Sequence, residues 1–143
     1  DTLPAAIKGL GINTGAPEIF HALVEAAAYA TRMNIAHLAE HGIRINLIRA
    51  IGGVSQKSPF VMQTLANVTG HRIEVMDCKD SCALGDAMFA AVASGHYPTL
   101  EEAVERMQAG IMKTYTPEPE TREYYDKRYE EYLKLSDFTE AQA

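Results

Sequence analysis

The stretch Ile45-Asn46-Leu47-Ile48-Arg49-Ala50-Ile51-Gly52-Gly53-Val54-Ser55-Gln56-Lys57-Ser58-Pro59 decides how this chain is read. Its first seven residues are mostly apolar and rich in isoleucine, as a strand covered on both faces requires. Gly52 and Gly53 then remove every Cβ at the strand's carboxyl end, so another backbone or a flat ligand can come close. Val54 to Lys57 reads as a short polar loop. Ser58-Pro59 suits an N-cap followed by the first helical position. Ligands of open α/β sheets bind outside the carboxyl ends of strands. The glycine pair is therefore a candidate binding site, although the same pair also makes an ordinary strand-to-helix turn.

Downstream, Val61, Leu65 and Val68 give the helix after Pro59 an apolar line, and Gly70 stops it. Arg72 to Met76 is a short strand with Ile73 and Val75 inward. Asp77-Cys78-Lys79-Asp80-Ser81 is a polar loop at its carboxyl end. Ala83 to Ala93 is a small-residue helix ended by Gly95, and Gly85 is its point of closest approach to a neighbour. Thr99-Leu100-Glu101-Glu102 is a capping box opening a helix that ends near Gly110. Its inward residues are Leu100, Ala103, Val104 and Met107. Tyr115-Thr116-Pro117 is an extended link. From Pro119 a helix runs to about Leu135 with Tyr125, Tyr129 and Tyr132 on one face, and Thr139 to Ala143 should fray.

Upstream, Lys8 to Gly15 is a glycine-rich loop without the strand and third glycine of a dinucleotide fingerprint. It enters a long helix from Pro17 to His41, closed by Gly42. Ile19, Leu23, Ala26, Ala30 and Met33 form its apolar stripe. The order is thus helix, strand, helix, strand, helix, helix, helix, with a right-handed βαβ crossover around the glycine pair. Two strands make a marginal sheet alone, so the chain is expected to be part of something larger. Its start at Asp1 rather than methionine fits a fragment.

The 143 residues suffice for one domain with a real core, and 47% hydrophobic and 22% charged residues are ordinary for a globular chain. A net charge of −6 argues against nucleic acid or an anionic membrane as the main partner. It leaves open a phosphate ligand held by backbone amides at a helix N-terminus. Cys78 and Cys82 have three residues between them, so they match neither a thioredoxin-type motif nor a zinc knuckle. They read as free thiols in a reducing compartment, and no apolar run is long enough to span a bilayer.

His37-Leu38-Ala39-Glu40-His41 matches a zinc-peptidase pattern, with both histidines on one helix face. Zinc needs a third ligand, and histidine in a last turn is favoured anyway by the negative helix end. The metal reading is set aside, and no metal is expected here. Glu118, Glu120, Glu123, Glu130 and Glu131 read as a solvated face. The tyrosine face is expected to pack on the body with its hydroxyls wet. No Ser/His/Asp triad and no lysine-bearing phosphate loop occurs.

Three segments together resemble one family. Ile51-Gly52-Gly53 followed by Met62-Gln63-x-x-Ala66 resembles the adenosine-binding segment of the FGGY carbohydrate kinases, relatives of actin and the large heat-shock ATPases. Cys82-Ala83-Leu84-Gly85-Asp86-Ala87 resembles that family's Ala-Leu-Gly-x-Ala helix start. Gly9-Leu10 and His21 to Tyr29 resemble its glycine-rich turn and following helix, with His21 where arginine is common and Ala27 where glycine is common. Gly52 to Gln63 is most similar to the ribulokinase subgroup, and the tyrosine-rich tail fits as well. The resemblance covers essentially the whole chain.

The resemblance implies an α/β fold, the C-terminal part of an actin-like, ribonuclease H-like ATPase domain with few strands and a helical tail. Residues 1–114 would be the nucleotide-facing part and 115–143 the link and last helix. Gly52 and Gly53 would lie against the adenosine of ATP. Gln56, Lys57 and Ser58 would line the adenine pocket, and Ala83, Leu84 and Gly85 would support it from behind. The family transfers the γ-phosphoryl group of Mg-ATP to a sugar hydroxyl and needs an aspartate base. Asp77, Asp80, Asp86, Asp126 and Asp137 match no base motif, so no catalytic residue is expected here. The expected protein is a cytoplasmic ribulokinase-like enzyme whose C-terminal piece is inactive alone and capable of forming a homodimer. The rival is a non-catalytic interaction domain using the tyrosine helix.

Overall fold

A computed structural model describes residues 5–142, so Ala143 of the expected frayed tail and the first four residues of the 1–114 segment lie outside the described residues. In chain order the elements are α1 (Ala16–Glu40), β1 (Ile48–Ala50), α2 (Gly53–Lys57), α3 (Pro59–Thr69), β2 (Ile73–Met76), α4 (Ser81–Ala93), α5 (Leu100–Met107), β3 (Ile111–Tyr115), a 3₁₀ turn (Pro119–Thr121) and α6 (Arg122–Glu140).

The sheet has three strands in the order β1-β2-β3, parallel then antiparallel. The sequence reading missed β3, assigning its last residue to an extended link. Its apolar residues Ile111 and Met112 are exposed, so no alternating pattern marks it. The expected division at 114/115 consequently falls inside this strand. β1 is shorter than expected. At its start the Ile45 carbonyl lies 2.9 Å from Nε2 of His71, whose Nδ1 lies 2.8 Å from the Thr69 carbonyl. The ladder begins only with Ile48, whose N–H donates to the Arg72 carbonyl. At its end Gly52 turns the chain with φ 89°, a conformation that favours glycine. The expected polar loop at 54–57 belongs to α2, so the chain rises into a helix at once.

Ile48 pairs with Ile73 and Ala50 with Val75, while Ile73 faces Tyr115 across the antiparallel side. This register puts Ile48, Ala50, Ile73, Val75 and Tyr115 on one face, where they pack on Met62 and Ala66 of α3. On the other face lies Glu74, also buried, paired with Arg72 and with Arg49 Nε at 3.7 Å. A carboxylate removed from water needs such partners.

Helix α3 is buried nearly all round, with Met62, Thr64, Ala66, Asn67, Val68 and Thr69 inside. The expected line of Val61, Leu65 and Val68 is only part of its contact surface. Its second side joins Val68 to Ala28 and Tyr29 of α1 and Tyr125 of α6, with Tyr129 and Tyr132 alongside. Gly70 closes the helix with φ 70°. The tyrosine face packs inward as expected, and α6 continues past Leu135 through Glu140. Arg32 of α1 lies over the Tyr129 ring at 4.3 Å and reaches Asp126 at 2.6 Å.

The buried face of α1 is not the expected stripe. Glu25, Ala28 and Tyr29 are inside, whereas Leu23 is 59% exposed. The helix turns toward the α3 and α6 rings, because burying Tyr29 removes more apolar area than burying Leu23. Gly85 makes no close approach either. A Cβ there would meet no atom within 4 Å, and Met88 is the one buried residue of α4.

Ile73 is fully buried, so Ile73→Ala should cost about 2–5 kcal/mol of unfolding free energy in urea. Leu23→Ala should stay within about 0.5 kcal/mol. A larger loss at Leu23 than at Ile73 would return the buried face of α1 to the Leu23 stripe.

Burial works against the Asp126 charge, yet hydrogen bonds from Arg32 and Arg122 hold its carboxyl below the ordinary carboxylate range. A lowered folded-state value means stability present above the unfolded value, about 3.9, and lost as pH falls through the folded one. The thermal midpoint of Asp126→Asn should therefore fall less between neutral pH and pH ~2 than that of the unchanged chain. Parallel acid limbs would remove Asp126 as a contributor.

Candidate functional site

The carboxyl ends of the parallel strands β1 and β2 lie side by side, and each feeds a helix. β1 runs through Ile51 into Gly52, Gly53 and α2. β2 runs through residues 77–80 into α4. At Gly52, Gly53 and Gly85 a Cβ would meet no heavy atom within 4 Å. Gly52 is required by its positive φ. Gly53 and Gly85 are required by nothing in the chain's own packing, and they leave bare backbone facing open space. Such a surface can take a flat group in close contact. Ser55 holds the turn from inside: its buried hydroxyl donates to the Gly52 carbonyl at 2.7 Å.

The expected adenine-pocket residues separate here. Gly52 is partly exposed and Gly53 exposed at the mouth. Lys57 ends α2, exposed, with no acid within ion-pair distance among the described residues. Ser58 is the N-cap of α3, its oxygen accepting from the Val61 N–H at 3.4 Å. The Gln56 amide N–H groups are directed to backbone. Its Nε2 donates to the Met76 carbonyl at 3.1 Å and the Cys78 carbonyl at 3.0 Å. Both side-chain N–H donors of Gln56 are thus taken by the protein's own backbone. Ala83, Leu84 and Gly85 stand in the first turn and a half of α4, with Ala83 exposed. Sequence alone gave no sign of the Gln56 tether, whose acceptors lie 20 and 22 residues away.

The other motif residues act in the scaffold. Met62 and Ala66 are core. Gln63 donates to Asn67 Oδ1 and the Thr116 carbonyl, both at 2.9 Å. Asn67 in turn donates to the Glu118 carboxylate at 2.8 Å and accepts the Glu118 N–H at 2.9 Å. Glu118 is thus more than a solvated acid. His41 lies beyond the last turn of α1, with Nδ1 2.9 Å from the His37 carbonyl. Among the described residues no group of three or more His, Cys, Asp or Glu is placed to hold a metal ion. Cys78 and Cys82 are free thiols, and no helix among the described residues is long and apolar enough to cross a membrane.

A second feature lies away from this end, between residues 6–9, α1 and α6. It is a groove of about 270 Å³ lined by Ile7, Ile19, Leu23, Tyr29, Tyr132 and Leu135. Glu25 is buried beside it, with Arg128 at 3.6 Å and His21 at 3.5 Å. Burial first, and then the Glu25 charge, pushes the Tyr29 phenol well above its ordinary value. Lys8 closes one end on Glu131, whose carboxyl is held down at about 2 by hydrogen bonds from Lys134 and Lys8.

Residues 1–94 match the family model described as the FGGY family of carbohydrate kinases, C-terminal domain. The chain is 39% identical to the ribulokinase of Vibrio parahaemolyticus over 138 residues, covering 96% of this chain and 24% of that protein. It is 40% identical to the ribulokinase of Bacillus licheniformis over 137 residues, covering 93% of this chain and 25% of that protein. The chain therefore spans about a quarter of the length of these relatives. Among solved structures, the xyloylose kinase of Brucella ovis superposes with a TM-score of 0.84 at 23% identity, covering 95% of this chain and 28% of that one. The gluconate kinase of Lactobacillus acidophilus gives 0.78 at 26% identity, covering 92% and 26%. The expected fold class holds: helices around a small mixed sheet, in the arrangement of the sugar-kinase C-terminal region. The chain belongs to the FGGY family of carbohydrate kinases, as part of its C-terminal domain.

Proposed function

We propose that this chain forms the adenosine-facing wall of an ATP-dependent sugar kinase that phosphorylates a pentulose, most like a ribulokinase. The observation that carries this reading is the open glycine surface at the carboxyl ends of β1 and β2. Gly53 and Gly85 lack side chains where the fold has room for them, as expected where a purine and ribose lie against backbone. Gly52 and Gly53 contact the adenosine, and Lys57 and Ser58 stand at its edge. The N-terminal turn of α2 points at this same end of the sheet. Ala83, Leu84 and Gly85 form the opposite side.

Phosphoryl transfer in this reading passes from the γ-phosphate to a sugar hydroxyl, with a base to take the hydroxyl proton. This chain binds and orients the nucleoside end, while the base and sugar contacts belong to the remainder of the kinase. In this reading Mg²⁺ accompanies the nucleotide phosphates, as phosphoryl transfer from a nucleoside triphosphate requires. The rival reading, an interaction domain using the tyrosine helix, has less support, because Tyr125 is buried and Tyr129 and Tyr132 pack against the α1 and α3 cluster.

In the complete kinase, Gly53→Leu should raise the KM for ATP about tenfold or more, because a side chain enters the purine's space. The KM for the sugar and the thermal midpoint should stay close to those of the unchanged enzyme. An unchanged KM for ATP would defeat the reading. The 143-residue chain alone should bind ATP with a dissociation constant of about 1 mM or weaker, since it contacts one side of the nucleotide. It should transfer no phosphoryl group to ribulose. Turnover by the isolated chain would place the catalytic machinery within it.

A further inference from the structure

The structure assigns Gln56 a different task, as the positioning residue that sets the spacing between the two sides of this wall. The inference rests on the nucleotide reading above and deepens it. Gln56 sits on α2, one turn after Gly52, and its amide crosses to the strand that feeds α4. Its two acceptors are the carbonyl of Met76, the last residue of β2, and that of Cys78, two residues on and past the bend at Asp77. β1 provides no ladder partner for them, because its pairing with β2 ends at Ala50 and Val75. The Gln56 amide takes the place that a neighbouring strand would fill.

Opposite Gln56 the same segment is held from β3's side. The Asp77 N–H donates to the Gly110 carbonyl at 2.8 Å. The exit from β2 is thus anchored on both sides, by a side chain from α2 and by backbone before β3. On the near side, Ser55 donates to the Gly52 carbonyl and the Gln56 N–H reaches the same oxygen at 3.4 Å. The Gln56 amide therefore joins the glycine turn and α2 to the β2 exit through hydrogen bonds. Two N–H donors on one nitrogen suit two carbonyls. A carboxylate would face both acceptors with charge, and an aliphatic side chain would leave both without this partner.

The test is made in the complete kinase with three variants. Gln56→Leu and Gln56→Glu should raise the KM for ATP about tenfold and leave kcat at saturating ATP, and the KM for the sugar, within about threefold. Gly53→Leu reports on the wall itself. If Gly53→Leu raises the KM for ATP and neither Gln56 variant does, the positioning role is overturned and the wall stands. If Gly53→Leu has no effect, the nucleotide reading fails. Hydrogen exchange on the unchanged enzyme tests the same idea without a variant. ATP should slow exchange in residues 52–58 and 77–85 together, as expected for two segments joined by one tether. Protection of 52–58 alone would overturn the inference even if the Gln56 variants do not fold.

Discussion

Helix α3 is buried on two sides at once, and the rest of the structure depends on that constraint. Met62 and Ala66 face the sheet, while Val68 faces the rings of Tyr29 and Tyr125. Ile73, Val75 and Val68, the largest fully buried side chains, all touch this helix or its neighbours. Each contributes roughly 1.5–3 kcal/mol by leaving water. A helix with so little free surface permits few packing solutions. It sets the sheet's inner face on one side and the orientation of α1 and α6 on the other. The glycine turn at the end of β1 inherits its position from the same helix, because α2 runs directly into it.

Polar groups complete what apolar packing begins. Where ladders stop, side chains continue them: His71 at the Ile45 carbonyl, Gln63 at Thr116, Asn67 at Glu118 and Gln56 at Met76 and Cys78. Each joins segments far apart in sequence, and each satisfies backbone or side-chain groups that a short sheet leaves open. The sheet has only three strands, so these tethers carry an unusual share of its definition. Glu74 follows the same rule on the far face, where its buried carboxylate is matched by two arginines.

The surface also carries much apolar area. Phe20 and Phe60 stack with centroids 6.3 Å apart while both remain exposed, and Ile51 and Val54 beside the glycine turn are exposed too. The unused stripe of α1, Ile19 and Leu23, belongs to the same class of surface and lines the groove against α6.

By itself the sequence determined the order of the main helices, the glycine turn, the caps at Ser58 and Thr99, and the family. These rest on local chemistry: a serine before Pro59, a threonine three residues before Glu102, adjacent glycines after an apolar run. The tertiary structure decided the rest. It chose the Tyr29 face of α1 over the Leu23 face, since only the facing rings of α6 determine which side removes more area from water. It paired Ile111–Tyr115 as a third strand, which its exposed residues did not announce. It turned the Gln56 amide toward two carbonyls more than twenty positions away in one case and twenty in the other. A long-range hydrogen bond leaves no periodicity in a sequence, so the glycine turn was legible while the Gln56 tether beside it was not.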